Sequence, residues 1–289
     1  MSNNKLSFYA AIISQNLDDC ICSCNAQYNK LINAMKYSLN AGGKHLRGAM
    51  LLECAKSCGT DIQLVMPFAV AIEIIHTYSL IHDDLPEMDN SEIRRNRPSC
   101  HIEFGQDIAL LAGDGLLSYA VEYICTHTKL NPDITLNIIN LMMSACGPHG
   151  MLAGQTLDKI GENTTFDFDQ LVTLQQLKTG KLFEASCLAG CIAAGATPNR
   201  IAGFKDYSRH FGLAFQIKDD LLDVEGSVEQ LGKPIGHDAG KNTFVKLLGK
   251  QKAKQLLSEK AVLAKKAILN LDNTEFFSWL VDYIVERKN

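Results

Sequence analysis

The sequence predicts an all-α protein, a large helical bundle in one domain over residues 1–289, and three observations carry that prediction. Apolar residues recur with helical spacing, and no stretch shows the alternating pattern of a half-buried strand. Pro67, Pro132, Pro148 and Pro198 each stand where a new helix would begin, positions where the missing N–H is not needed and φ is already helical. Several segments are apolar on most faces, as expected of helices inside a bundle rather than on its surface.

Taken in order, "PFAVAIEIIHTYSLIHDD" is expected to open on Pro67 and to end before Pro86, which disfavours continuation. Further helices are expected in "FGQDIALLAGDGLLSYAVEYICTHT", "PDITLNIINLMMSAC", "FDQLVTLQQLKTGKLFEASCLAGCIAAG" and "PNRIAGFKDYSRHFGLAFQIKDDLLDV". The basic stretch "FVKLLGKQKAKQLLSEKAVLAKKAIL" reads as a solvated outer face. No low-complexity linker or repeat divides the chain, hence the single domain.

Composition narrows the function classes. Hydrophobic residues make up 46% and charged residues 21%, the balance of a soluble globular chain. A formal net charge of -4 offers no polybasic patch, so nucleic acid is not an expected partner. No apolar run reads as long enough to span a membrane. "KLSFYAAII" is short, weakly basic and soon followed by "DD", which makes a poor signal peptide. A cytoplasmic protein without stable membrane insertion is expected. The ten cysteines do not form a disulfide framework. Cys54/Cys58 and Cys187/Cys191 have the four-residue spacing of small buried helical side chains, and "CICSC" lacks a second pair nearby to complete a metal site. Reduced thiols follow.

Chemistry concentrates in two acidic clusters. "SLIHDDLPEMDN" drives an apolar helix into Asp83, Asp84 and Asp89, and "QIKDDLLDVEG" does the same with Asp219, Asp220 and Asp223. Pro86 should let the chain turn and bring Asp89 back towards Asp83, while Asp219 and Asp223 stand one helical turn apart. Carboxylates so close repel unless something neutralises them. Two such clusters face to face would make an oxygen-rich pocket suited to magnesium, which is usually shared with substrate phosphates. Phosphate in turn calls for cations. "GGKHLRG" supplies Lys44 and Arg47, "EIRRNRP" supplies Arg94, Arg95 and Arg97, "LKTGK" supplies Lys178, Thr179 and Lys181, and "LGKPIG" supplies Lys233. Arg97 and Lys181 read as ordinary surface charges. His76, two turns before Asp83, shares its stripe and suits a phosphate contact.

These motifs, with "LLAGDGLL", "GMLAGQTLD" and "LGKPIGHDAGKNTF", occur in the order found in short-chain trans-isoprenyl diphosphate synthases, and the chain resembles the bacterial-type farnesyl diphosphate synthases over nearly its whole length. The resemblance implies an isoprenoid-synthase bundle around a central substrate cavity, a homodimer, and magnesium, three ions with substrate bound. It implies isopentenyl diphosphate and an allylic diphosphate (dimethylallyl or geranyl) as substrates, with farnesyl diphosphate as product. By the same resemblance, Asp83, Asp84 and Asp89 hold metal on one wall and Asp219, Asp220 and Asp223 on the other. Arg94, Lys178, Thr179 and Lys233 contact the allylic diphosphate, and Gln216 faces the reacting allyl group. Lys44, Arg47, His76 and Arg95 bind isopentenyl diphosphate. Tyr78, together with the two extra residues of "DDLPEMD", resembles the arrangement that stops growth at farnesyl length. Ideal helix geometry, in contrast, turns Tyr78 away from the Asp83 face and puts Ser79 nearer. His45, Gly48, Asn96 and Lys181 depart from the family's usual residues without removing a ligand. Geranylgeranyl diphosphate synthesis and a non-catalytic partner subunit are the competing readings; a terpene cyclase would need no isopentenyl diphosphate site.

Overall fold

The computed structural model describes residues 2–21, 26–225 and 240–287. The described residues form fourteen α-helices and one small hairpin. Helix α1 spans Ser2–Cys20, α2 Asn29–Leu39, α3 Leu46–Ser57 and α4 Ile62–Asp83. The hairpin pairs β1 (Ile93–Arg94) with β2 (Arg97–Pro98). Then come α5 (Cys100–Phe104), α6 (Gln106–His127), α7 (Pro132–Cys146), α8 (Met151–Gly161) and α9 (Phe168–Gln175). A single π-helical turn, Gln176–Gly180, joins α9 to α10 (Lys181–Ala193). Helix α11 covers Pro198–Glu225, and α12 (Phe244–Leu248), α13 (Lys250–Ala267) and α14 (Glu275–Glu286) complete the bundle.

Helix α4 is the central element, packed on α3 and α6 and buried along almost its whole length. It begins five residues before the expected start, because the Asp61 side chain accepts from the Gln63 N–H (3.0 Å) and caps the first turn. Pro67 therefore lies inside the helix, near enough to its start that only one early backbone bond is missing. Helices α7 and α11 do begin at their prolines, but Pro148 lies in the turn ahead of α8. Helices α4 and α6 are each 22 residues and, by length and composition, long and apolar enough to cross a membrane. This corrects the sequence reading, in which no apolar run was long enough to span a membrane. The apolar window of α4 is 83% buried within the molecule, as a core helix requires.

Close packing depends on glycine at the crossings. At Gly190 of α10 a Cβ would stand 2.3 Å from the Leu51 carbonyl oxygen of α3, a backbone atom that cannot step aside. Gly190→Ala is expected to cost about 1–3 kcal/mol, read as a lower midpoint in denaturant at unchanged slope. A buried carboxylate ties α1 to the same helix: Glu53 accepts from Lys5 Nζ (2.6 Å) and the Tyr9 hydroxyl (2.5 Å). The described cysteines are all free thiols; Cys22 and Cys24 of "CICSC" lie outside the described residues.

Candidate active site

The first wall is the C-terminal end of α4. The helix stops at Asp83, and the Asp89 N–H donates to the Asp83 carbonyl (2.9 Å), so the chain folds back around Pro86 as expected. Asp83 Oδ1 accepts from Gln155 Nε2 of α8 (2.6 Å), and Lys178 Nζ stands 4.0 Å from it. Asp89 Oδ2 is paired with Lys241 Nζ at 2.7 Å. Burial works to raise the Asp89 carboxyl, but the Lys241 hydrogen bond with the charges of Lys178 and Lys159 outweighs it and holds Asp89 below the ordinary carboxylate range. Asp84 behaves differently. It is 2% exposed, points away from the cavity and takes the Arg94 Nε at 3.1 and 3.0 Å. Placing Asp84 beside its neighbours on the metal wall therefore needs correction: consecutive helical residues point about 100° apart.

A patch of cations faces this wall. The hairpin turn holds Arg95 and Asn96 at φ 53° and 60°, the two positive values of a type I′ turn. Asn96 accepts that backbone readily; Arg95 is strained there, as side chains at functional sites often are. The Arg95 guanidinium packs on Gly43, where a Cβ would stand 3.0 Å from Nη2, and this explains the glycine ahead of Lys44. Arg47, in the first turn of α3, lies over the Phe183 ring (4.5 Å) with its Nε buried and without a hydrogen-bond partner. Burial pushes its guanidinium down to about 10. Beneath, Glu73 accepts from the Gly48 N–H (2.8 Å) and meets His45 Nδ1 (3.0 Å), fixing the start of α3. Burial and the nearby Arg47, Arg95 and Arg94 hold the His76 imidazole well below its usual range, so it stands neutral at pH 7. Lys44 lies over the Tyr283 ring of α14 (5.5 Å) and is not among the residues that line the chamber.

The second wall is α11 with the π-helical turn. A Cβ on Gly154 of α8 would stand 2.2 Å from the Lys178 backbone nitrogen, so α8 presses directly on that turn. Lys178 Nζ pairs with Asp158 Oδ2 (2.6 Å), and the Thr179 hydroxyl donates to Gln216 Oε1 (3.3 Å). Asp219 faces the cavity, its carboxylate on Arg287 just beyond α14. Asp220 is buried and accepts from the Phe244 N–H (2.8 Å) and Gln216 Nε2 (3.1 Å). It pins α12 to α11 and does not line the cavity, nor does buried Asp223. Asp220 follows Asp219 directly and so points about 100° away from it, whereas Asp223 stands one turn further on and is buried near the end of the helix. Arg97, over the Tyr37 ring (3.8 Å), and Lys181, paired with Glu184 (3.1 Å), lie apart from the site. Lys233 lies outside the described residues.

Two cavities of about 480 Å³ each meet at Asp83, which lines both. One is polar, bounded by Arg47, His76, Arg94, Arg95, Lys178 and Asp219. The other is apolar, bounded by Tyr78, Ser79, His82, Leu110, Met151 and Leu152. Tyr78 and Ser79 thus both reach the cavity below Asp83, although ideal geometry favoured Ser79 alone. Gly113 gives His82 its place, since a Cβ there would fall 2.0 Å from Nε2, which donates to the Leu110 carbonyl (3.0 Å).

Among the described residues, no three histidine, cysteine, aspartate or glutamate side chains converge into a ready-made metal cage. Asp83, Asp89 and Asp219 instead stand on two walls of one chamber, with Lys178, Lys241 and Arg287 against them. That donor set fits magnesium, which takes one or two protein carboxylates and completes its shell with water and substrate phosphate. Gln155, Asp158, Lys241 and Arg287 were not singled out from the sequence. Gln155 and Asp158, three apart within "GMLAGQTLD", share a helical face that could have marked them; nothing local marks Arg287.

Comparison with known proteins places the chain in a family. The polyprenyl synthetase family model matches residues 28–270. The chain is 43% identical over 247 residues to a farnesyl diphosphate synthase of Geobacillus stearothermophilus, covering 84% of this chain and 83% of that protein. It is 40% identical over 269 residues to a geranylgeranyl diphosphate synthase of Cyanophora paradoxa, covering 90% and 88%. Its structure resembles a geranyltransferase of Helicobacter pylori solved with magnesium and isoprenyl diphosphate, with a TM-score of 0.87, 30% identity and coverage of 97% and 96%.

Proposed function

The chain belongs to the polyprenyl synthetase family, and from that premise we propose that its two cavities serve one reaction, the condensation of isopentenyl diphosphate with dimethylallyl or geranyl diphosphate to give farnesyl diphosphate. It is a prenyltransferase of the farnesyl diphosphate synthase type. The observation that carries the residue-level reading is that Asp83 lines both a charged chamber and an apolar one. An allylic diphosphate has that shape, a polyanionic head on a hydrocarbon tail.

In this reading Lys178 and Thr179, with Arg94 and Lys233, receive the allylic diphosphate. Arg47, His76 and Arg95, with Lys44, receive isopentenyl diphosphate; the buried, unpartnered Arg47 Nε is a donor waiting for an anion. Asp83, Asp89 and Asp219 would hold magnesium, proposed at three ions with substrate bound, which supplies charge neutralisation for the departing diphosphate. Lys178, released from Asp158 and Asp83, adds a donor to the same leaving group. Gln216 faces the allylic carbon, and the apolar walls keep water from the cation until the isopentenyl double bond attacks. The proton then lost can pass to the released diphosphate, so no side chain is assigned as base. We place the protein in the cytoplasm as a single domain over residues 1–289 that pairs as a homodimer, the pairing supported by the exposed Leu110 and Leu111 of α6.

The geranylgeranyl diphosphate synthase relative supports a second reading, the same chemistry carried one unit further. A non-catalytic subunit would need neither chamber. Incubation with magnesium, isopentenyl diphosphate and each allylic starter in turn, followed by product sizing, decides: farnesyl diphosphate is expected, and no elongation from any starter would overturn the proposal. Arg47→Ala should raise KM for isopentenyl diphosphate about tenfold or more, the loss of one charge-assisted contact, with little change for the allylic substrate. Equal increases for both would remove Arg47 from its assigned role.

A further inference from the structure

The first turn of α3 presents Arg47 to the charged chamber, and no side chain of that turn caps its start. His45, the residue ahead of the helix, is held at φ 45° in the left-handed region and makes no side-chain cap, where an aspartate, serine or threonine would ordinarily accept a free N–H. The acceptor comes instead from another helix. Glu73 of α4 accepts from the Gly48 N–H on one carboxylate oxygen (2.8 Å) and meets His45 Nδ1 with the other (3.0 Å). Leu46 and Arg47 lie in the chain between these two anchored residues. Gly48 lets the turn come this close, since a Cβ there would stand 3.1 Å from the Ala69 carbonyl oxygen of α4. Burial works to raise the Glu73 carboxyl, but the bonds from His45 and Gly48, with the Arg47 charge, hold it below the ordinary carboxylate range. Glu73 is therefore ionised at neutral pH.

Neither member of the pair reaches the chamber. Glu73 is 4% exposed and His45 6%, and both lie outside the residues that line it, whereas Arg47 and His76 do line it. Glu73 also stands roughly 15 Å of helix before Asp83. We propose that Glu73 and His45 are positioning residues that set the affinity for isopentenyl diphosphate through Arg47, an inference that rests on the role assigned to Arg47 above. A guanidinium is a rigid fork whose donors match phosphate oxygens only in a narrow range of placements. Freed at both ends, the first turn of α3 would let that fork slide over the Phe183 ring on which it lies. The loss then falls on one substrate. Lys178 and Thr179 are carried by the π-helical turn, which neither Glu73 nor His45 touches through a hydrogen bond, so the allylic diphosphate keeps its donors.

Steady-state kinetics on the full chain, with each substrate varied in turn, provide the test. Glu73→Ala is expected to raise KM for isopentenyl diphosphate about tenfold or more while KM for the allylic substrate stays within about threefold, the pattern of a lost ground-state contact to one partner. Glu73→Gln keeps an oxygen for the Gly48 N–H and an amide beside His45, and should stay close to the parent. His45→Gly removes the imidazole and suits the left-handed backbone, so it serves if Glu73→Ala does not fold; it should raise the same KM about threefold or more. His45→Asn also accepts that backbone and places an amide nitrogen where Nδ1 stood, and should restore the parent value. Tyr9→Phe is the control for stability alone: it takes a hydroxyl from Glu53 on the same helix and should lower the denaturation midpoint without moving either KM. Equal rises for both substrates, or a parental KM for isopentenyl diphosphate in both Glu73→Ala and His45→Gly, would overturn the proposal. A parent chain that elongates no starter would sink the functional reading itself, and this inference with it, before any variant is compared.

Discussion

Asp83→Asn is expected to lower turnover by about 10²- to 10³-fold or more, the range for losing a group that stabilises charge developing in a transition state. The substitution keeps the shape of the side chain and an oxygen for Gln155 Nε2 to meet, so the contact with α8 survives. Only the negative charge is removed. Asp83 lines both cavities, so in the proposed reaction a metal-bound diphosphate held there would sit where head and tail of the substrate part company. Asp219→Asn should give a loss of similar size from the opposite wall and should free Arg287 from its carboxylate. Asp84→Asn acts elsewhere: it weakens the pair with Arg94, and its effect should fall on stability as well as rate, because a half-buried guanidinium loses its charged partner. Far-ultraviolet circular dichroism separates the cases. Turnover by Asp83→Asn within threefold of the parent, or full turnover by the parent in excess chelator, would remove the carboxylate–magnesium reading.

The elements that were legible in the sequence are those whose cause is local. Helices α7 and α11 start at their prolines, and Asp89 returns to the Asp83 carbonyl because Pro86 ends the helix. The start of α4 was misread since Asp61 caps it, a weaker mark than proline. The hairpin was missed because two-residue strands carry no period. Within the site, charge and spacing identified both acidic clusters, but not which carboxylate of each pair faces the cavity. That choice is made by tertiary partners, Arg94 for Asp84 and the Phe244 N–H for Asp220. Lys241 and Arg287 approach the walls from distant chain positions, through contacts that no local pattern encodes.

Tyr78→Ala tests how far the product grows. The tyrosine is 3% exposed and lines the apolar cavity beneath Asp83, with its ring edge-on to His82 at 5.8 Å between centroids. The hydroxyl lies against the Cys146 thiol at the end of α7, and burial pushes the phenol above its ordinary range. In the proposed reaction chain growth would begin at the diphosphate and run down from Asp83, and five residues of helix place Tyr78 roughly 7.5 Å below that point. Ser79, one position nearer, is too small to stop a chain. A growing hydrocarbon would therefore meet the Tyr78 ring, with His82, held by Gly113 and the Leu110 carbonyl, beside it. Removing the ring deepens the cavity without touching the charged chamber. Tyr78→Ala should shift the main product from farnesyl to geranylgeranyl diphosphate, with KM for isopentenyl diphosphate nearly unchanged. Tyr78→Phe, which keeps the ring and loses only the hydroxyl, should still stop at farnesyl. If the alanine variant stays active and its products keep the parent's length, the floor lies deeper in the bundle and Tyr78 only packs there.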